Sequence, residues 1–100
     1  MKFTAQVRPD RHDGIEGFCL YATNAFGPHR EYVHLFFTDS PLECKHHSMV
    51  YFCPECIDRE KAADVMYKAL FAISDARQDA IRQGRDASWQ RLTASFSCAV

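Results

Sequence analysis

Residues 44–56 read CKHHSMVYFCPEC, and the rest of the chain is arranged around how this stretch is read. It holds three of the five cysteines and two of the five histidines. Cys44 and His47 stand in C-x2-H spacing, and Cys53 and Cys56 stand in C-x2-C spacing. Two donors separated by two residues can converge on one ion from a tight turn. Pro54 suits such a turn, because its φ is fixed and it has no N–H. Thiolate and imidazole are the donors that Zn2+ accepts in closed tetrahedral sites. The stretch therefore predicts a structural Zn2+ held by Cys44, His47, Cys53 and Cys56, with His46 as the substitute for His47.

The flanking residues set the elements around this site. Residues 49–52, MVYF, are apolar and β-prone, so they predict a short strand entering the CPEC turn. After Cys56 the pattern becomes helical at once. Ala62, Val65, Met66, Ala69, Leu70, Ile73, Ala76, Ala80 and Ile81 recur at helical spacing, which predicts one long helix over about 58–83. Asp58 and Glu60 suit its N-terminus, and Gly84 marks its end. Cys56 is then expected at the helix start, where free N–H groups favour a thiolate. Strand, knuckle, and a helix whose first turn supplies the last ligand: this order is similar to treble-clef zinc fingers. The likeness is architectural and confined to this stretch.

Other chemistry fits the cysteines less well. Strand, CPxC and helix are also the local setting of thioredoxin-like and glutaredoxin-like proteins, so a thiol oxidoreductase centred on Cys53 and Cys56 is one alternative. That fold needs further strands and a later cis-proline, whereas Pro54 is the last proline here. It also leaves Cys44, His46 and His47 without a role. A catalytic zinc with Glu55 as base departs from the H-x-E…P-C-x-x-C arrangement of zinc deaminases, and four protein donors close the coordination sphere. Cys19 and Cys98 could each replace a histidine ligand, but spare thiols account for them more simply. No P-loop, dinucleotide fingerprint or nucleophile elbow is present.

One hundred residues predict a single domain, and a net charge of −1 with interleaved signs gives no basic block. Eight Phe, four Tyr and one Trp make this a globular composition rather than a disordered one. The first residues hold no apolar segment of signal-peptide type, and the longest apolar run, 69–73, cannot span a bilayer. With an odd number of cysteines in metal-like spacing, the expected compartment is the reducing cytoplasm.

Three further strands are expected. Phe3, Ala5 and Val7 alternate in 2–8, with Pro9 as the stop and 8–17 as a flexible loop. Residues 18–26 form the second strand and 31–37 the third. The third is apolar on both faces: Val33, Leu35 and Phe37 on one, Tyr32 and Phe36 on the other, with His34 between them. Such strands are covered on both sides. The long helix would cover one face. Trp89, Leu92 and Phe96, at helical spacing, predict a short C-terminal helix that covers part of the other.

The expected fold is α+β: a small antiparallel sheet of three to four strands, a treble-clef-like zinc knuckle, one long helix and a short C-terminal helix. The expected function is a non-enzymatic, zinc-stabilised protein-interaction module. It would be an adaptor, inhibitor or modulator of a larger assembly, the class that includes small phage modulators of host enzymes. Its partner surface is expected at Tyr32, Phe36, Trp89, Leu92 and Phe96, where surplus apolar area gathers. No membrane partner is expected, and the oligomeric state is open. A nucleic-acid-binding module using Arg77, Arg82, Arg85 and Arg91 is the main alternative.

Overall fold

The computed structural model describes residues 1–24, 31–41, 51–55 and 57–99, with 31 and 32 described by their backbone. The elements are β1 (Lys2–His12), β2 (Ile15–Thr23), β3 (Glu31–Phe37), β4 (Tyr51–Phe52), α1 (Arg59–Arg82), a 3-10 turn (Trp89–Arg91) and β5 (Thr93–Ser97). The strands form one antiparallel sheet in the order β4-β3-β2-β1-β5. Among the described residues the sheet thus has five strands rather than three to four.

Alternation along the strands decides which side is the core. Phe3, Ala5 and Val7 of β1, Leu20 and Ala22 of β2, and Val33, Leu35 and Phe37 of β3 are all buried. They meet Ala62, Val65, Met66, Ala69, Leu70, Ile73 and Ala80 of α1 in one cluster. Each large side chain among them contributes roughly 2 kcal/mol through removal from water. Of the stripe at helical spacing, Ala76 is only half-buried and Ile81 is 50% exposed, and the other seven residues are core.

Both ends of α1 are specified locally. The Asp58 carboxylate accepts the Lys61 N–H at 2.9 Å, an N-cap. At the other end Gly84 takes φ +67. Its N–H reaches Ile81 O at 3.2 Å, and the Arg85 N–H reaches Ala80 O at 2.8 Å. This is the Schellman pattern, which satisfies two carbonyls that the helix leaves over.

Two sequence expectations fail in instructive ways. Pro9 does not stop the first strand. β1 runs on to His12 and returns as β2 from Ile15, so the expected loop over 8–17 is a tight hairpin. Its turn is Asp13-Gly14, with φ of 50 and 78. Positive φ at both central residues matches the strand twist, and Asp-Gly is a favoured pair for it. β5 pairs β1 only as far as Gln6, so among the described residues Pro9 lies where β1 has one neighbour, the place where a strand tolerates proline. The second strand accordingly starts earlier than expected, at Ile15, and ends at Thr23.

The other correction is at the C-terminus. Trp89, Leu92 and Phe96 do not share a helix. Trp89 begins the 3-10 turn, and Phe96 lies in β5. Leu92, Ala94, Phe96 and Cys98 alternate with polar residues, and this period of two wins over the helical one. Phe96 stacks on Phe3 across the β1–β5 pair, with centroids 5.4 Å apart. The C-terminal segment thus extends the sheet and does not cover its second face. Among the described residues, no helix is long and apolar enough to cross a membrane.

Candidate functional site

The face of the sheet opposite α1 carries the chemistry-bearing side chains. Strand register brings them together: Arg8 lies opposite Cys19, Cys19 opposite Phe36, Tyr21 opposite His34, and His34 opposite Tyr51. Their rings form a continuous array. The Arg8 guanidinium lies 4.7 Å from the Tyr21 ring centre, a cation–π contact. Tyr21 and His34 follow at 5.4 Å, then His34 and Tyr51 stacked at 4.8 Å. His12 meets Tyr51 edge-on at 6.1 Å and stacks on Phe36 at 4.3 Å with the ring planes nearly parallel.

Gly17 makes the last contact possible. A Cβ there would come within 2.5 Å of Phe37 O and 2.8 Å of Phe36 Cζ. Without it the Phe36 ring lies against the β2 backbone, filling the space a side chain would take. The Asp10 carboxylate fixes the other side of His12, with Oδ2 3.1 Å from Nε2. The Arg11 N–H, donating to Asp10 Oδ1 at 2.8 Å, holds that carboxylate in turn. At the centre of this face Cys19 is fully buried, whereas Tyr51 at the rim is 39% exposed.

The predicted zinc ligands fall mostly outside what the structure describes. Cys44, His46, His47 and Cys56 lie outside the described residues. Cys53 is described: it is half-buried, directly after β4, and its carbonyl accepts the Ile57 N–H at 3.1 Å. Pro54 and Glu55 form a turn after β4, and α1 follows. The helix itself begins only at Arg59, so its first turn does not supply the last ligand. Among the described residues no group of three or more His, Cys, Asp or Glu is placed to hold a metal.

The two spare cysteines sit apart from each other. Cys19 faces the ring array. Cys98 is buried beside α1, where its thiol donates to Asp64 Oδ2 at 3.2 Å and Lys68 Nζ lies 3.8 Å away. Burial, and then the Asp64 carboxylate, push the Cys98 thiol above its ordinary range. The same thiol hydrogen bond, with Lys68, holds Asp64 below the usual carboxylate range. Lys68 is raised in turn, chiefly by Asp64.

The expected partner residues divide between the two faces. Phe36 belongs to the ring array, and the Tyr32 side chain lies outside the description. Leu92 is buried in the core. Trp89 packs edge-on against Phe37 at 5.5 Å and takes the Arg77 guanidinium over its ring at 4.7 Å. Arg8, Asp10, His12, Tyr21 and Tyr51 were not singled out from the sequence. The signal that could have found them is the Asp13-Gly14 pair, which folds 8–12 back onto the sheet.

The arginines proposed for nucleic acid have neighbours of their own. Arg82 pairs with Asp79 at 2.6 Å, and Arg91 lies 3.9 Å from Asp86. Arg85 donates to Gln83 at 2.9 Å. Comparison with protein-family models, with curated proteins and with solved structures finds no match for this chain.

Proposed function

We propose that the chain is a non-enzymatic, zinc-stabilised protein-interaction module that engages its partner through the sheet face opposite α1. The observation that carries this reading is the continuous array from Arg8 and Tyr21 through His34 and Tyr51 to His12 and Phe36. Aromatic rings and arginine are what protein interfaces concentrate at their centres. Packed ring against ring, these side chains have little rotamer freedom left to lose on binding. Arg8 and Asp10 give the face mixed charge. A single-stranded nucleic acid would instead favour a cationic groove tracking its backbone.

Zinc enters on the spacing of Cys44, His47, Cys53 and Cys56, with His46 as the substitute. The position of Cys53 between β4 and α1 supports it. A metal there would tie the strand edge to the helix start and add its binding energy to folding. On this reading the chain acts as an adaptor, inhibitor or modulator of a larger assembly.

The test is affinity capture on immobilised wild-type chain and on Tyr51→Lys, with and without nuclease and across a salt series. The expected result is protein recovered by the wild type, resistant to nuclease, modestly salt-dependent, and lost with Tyr51→Lys at unchanged zinc content. Recovery of nucleic acid alone, falling steeply with salt, would replace this reading with the nucleic-acid one.

A further inference from the structure

β5 ends the sheet: among the described residues it pairs with β1 alone. The ladder determines which of its backbone groups are left over. Met1 N donates to Cys98 O at 3.1 Å, and Cys98 N donates to Met1 O at 3.0 Å. In an antiparallel ladder such doubly bonded pairs alternate with pairs that exchange no bond. Lys2↔Ser97, Thr4↔Ser95 and Gln6↔Thr93 are therefore the pairs without bonds. The N–H and C=O groups of Thr93, Ser95 and Ser97 point away from β1, to the open edge.

That edge lacks the usual protections. The strand reads TASFS, with no charge and no proline, and its register with β1 is free of bulges. Its pattern is its own complement. A two-fold axis through Ser95 sets Ser95 against Ser95 of a second copy, and Thr93 against Ser97. These are the residues with outward backbone groups, so every such pair exchanges two bonds. On the face away from α1 the side chains that meet are hydroxyls, which bond across antiparallel strands. On the α1 side, Ala94 meets Phe96 of the second copy and Phe96 meets its Ala94. That sets small against large in the closely spaced pairs. Phe96 is half-buried in one chain, so the second copy covers the rest of its ring.

Charged side chains flank the strand at both ends and stay clear of its pairing edge. Arg91 precedes β5 with its side chain 74% exposed. The Asp64 carboxylate, 53% exposed, stands beside Cys98 just past the other end of the strand. The axis brings each Arg91, 3.9 Å from its own Asp86, alongside the corner of the second copy that carries Asp64 and its ion-pair partner Lys68.

We propose that β5 is a homodimerisation edge, at which two copies pair antiparallel about Ser95 to form one continuous sheet. The contact uses none of the ring-array residues or zinc donors, so it stands or falls independently of the reading above. A five-residue strand gives a small interface, and the dimer accordingly forms in the micromolar range or weaker.

Sedimentation velocity of the full chain over a concentration series tests this, with wild type, Ser95→Lys and Ser95→Pro. Proline at 95 removes an N–H that β1 does not use. Lysine sets like charges face to face on the axis, and it keeps the test standing if the proline variant folds poorly. The wild type should pass from monomer to dimer mass as concentration rises. Ser95→Lys should need at least tenfold more protein to do so, with an unchanged far-UV circular dichroism spectrum. A wild type that stays monomeric to about 1 mM, or a dimer whose midpoint Ser95→Lys leaves unmoved, overturns the proposal.

Discussion

At Gly84 the backbone is left-handed, φ +67, and nothing lies within 4 Å of where a Cβ would stand. Gly84→Ala therefore costs only the conformation, about 1 kcal/mol, read as a fall of roughly 4–8 °C in melting temperature for a domain of this size. Gly17 differs: a Cβ there meets backbone and an aromatic ring. Gly17→Ala should lower the melting temperature further than Gly84→Ala and shift the ring-current-sensitive proton resonances of His12 and Phe36. Equal effects of the two substitutions would mean that the Phe36 ring does not depend on that space.

Cys98 makes a pH prediction at the same scale. Its folded thiol is raised by burial and by Asp64. The stability this contributes is complete below the unfolded thiol value, near 8.5, and is lost as pH rises beyond it. The melting temperature should decline above about pH 8.5, and Cys98→Ser, which does not titrate there, should decline less. Asp64 works in the opposite sense: its lowered folded value gives stability that is present above the usual carboxylate range and is lost on acidification. Identical alkaline slopes for wild type and Cys98→Ser would contradict the thiol assignment.

Among the elements, α1 and β3 were legible from sequence because their own residues decide them. The cap at Asp58, the apolar stripe and the stop at Gly84 bound α1 without reference to the sheet. β3 keeps the ends expected from sequence, Glu31–Phe37, because 31–37 is a short β-prone apolar run after the Gly27-Pro28 turn signal and before Asp39-Ser40-Pro41. β5 was misread because Trp89, Leu92 and Phe96 fit a helical period, while pairing with β1, remote in sequence, rewards a period of two. The ring array was largely hidden for a similar reason. His12 reaches Phe36 only because Asp13 and Gly14 reverse the chain, and because Gly17 leaves room. The junction of β4 and α1 carries the zinc prediction. Elemental analysis should find one Zn2+ per chain, lost in Cys53→Ser, with chelation lowering the melting temperature. Of the two neighbouring histidines, His47→Ala should lose metal and His46→Ala keep it. A chain that purifies without zinc, and whose melting temperature is indifferent to added Zn2+ and chelator, would remove the metal from the account.

For the molecule as a whole, α1 covers one face of the sheet and the ring array lies on the other, the face we propose for recognition. A rival surface exists on α1 itself, where Tyr67 and Phe71 pack edge-on at 5.1 Å, 61% and 50% exposed. The two surfaces lie on different sides of the molecule and can be told apart directly. A photoreactive benzophenone side chain placed at position 51 in one variant, and at position 67 in another, reports which surface a partner covers. Irradiation in lysate should give discrete protein adducts from position 51 and none above background from position 67. Adducts from position 67 alone would move the interaction surface to α1 and contradict the account.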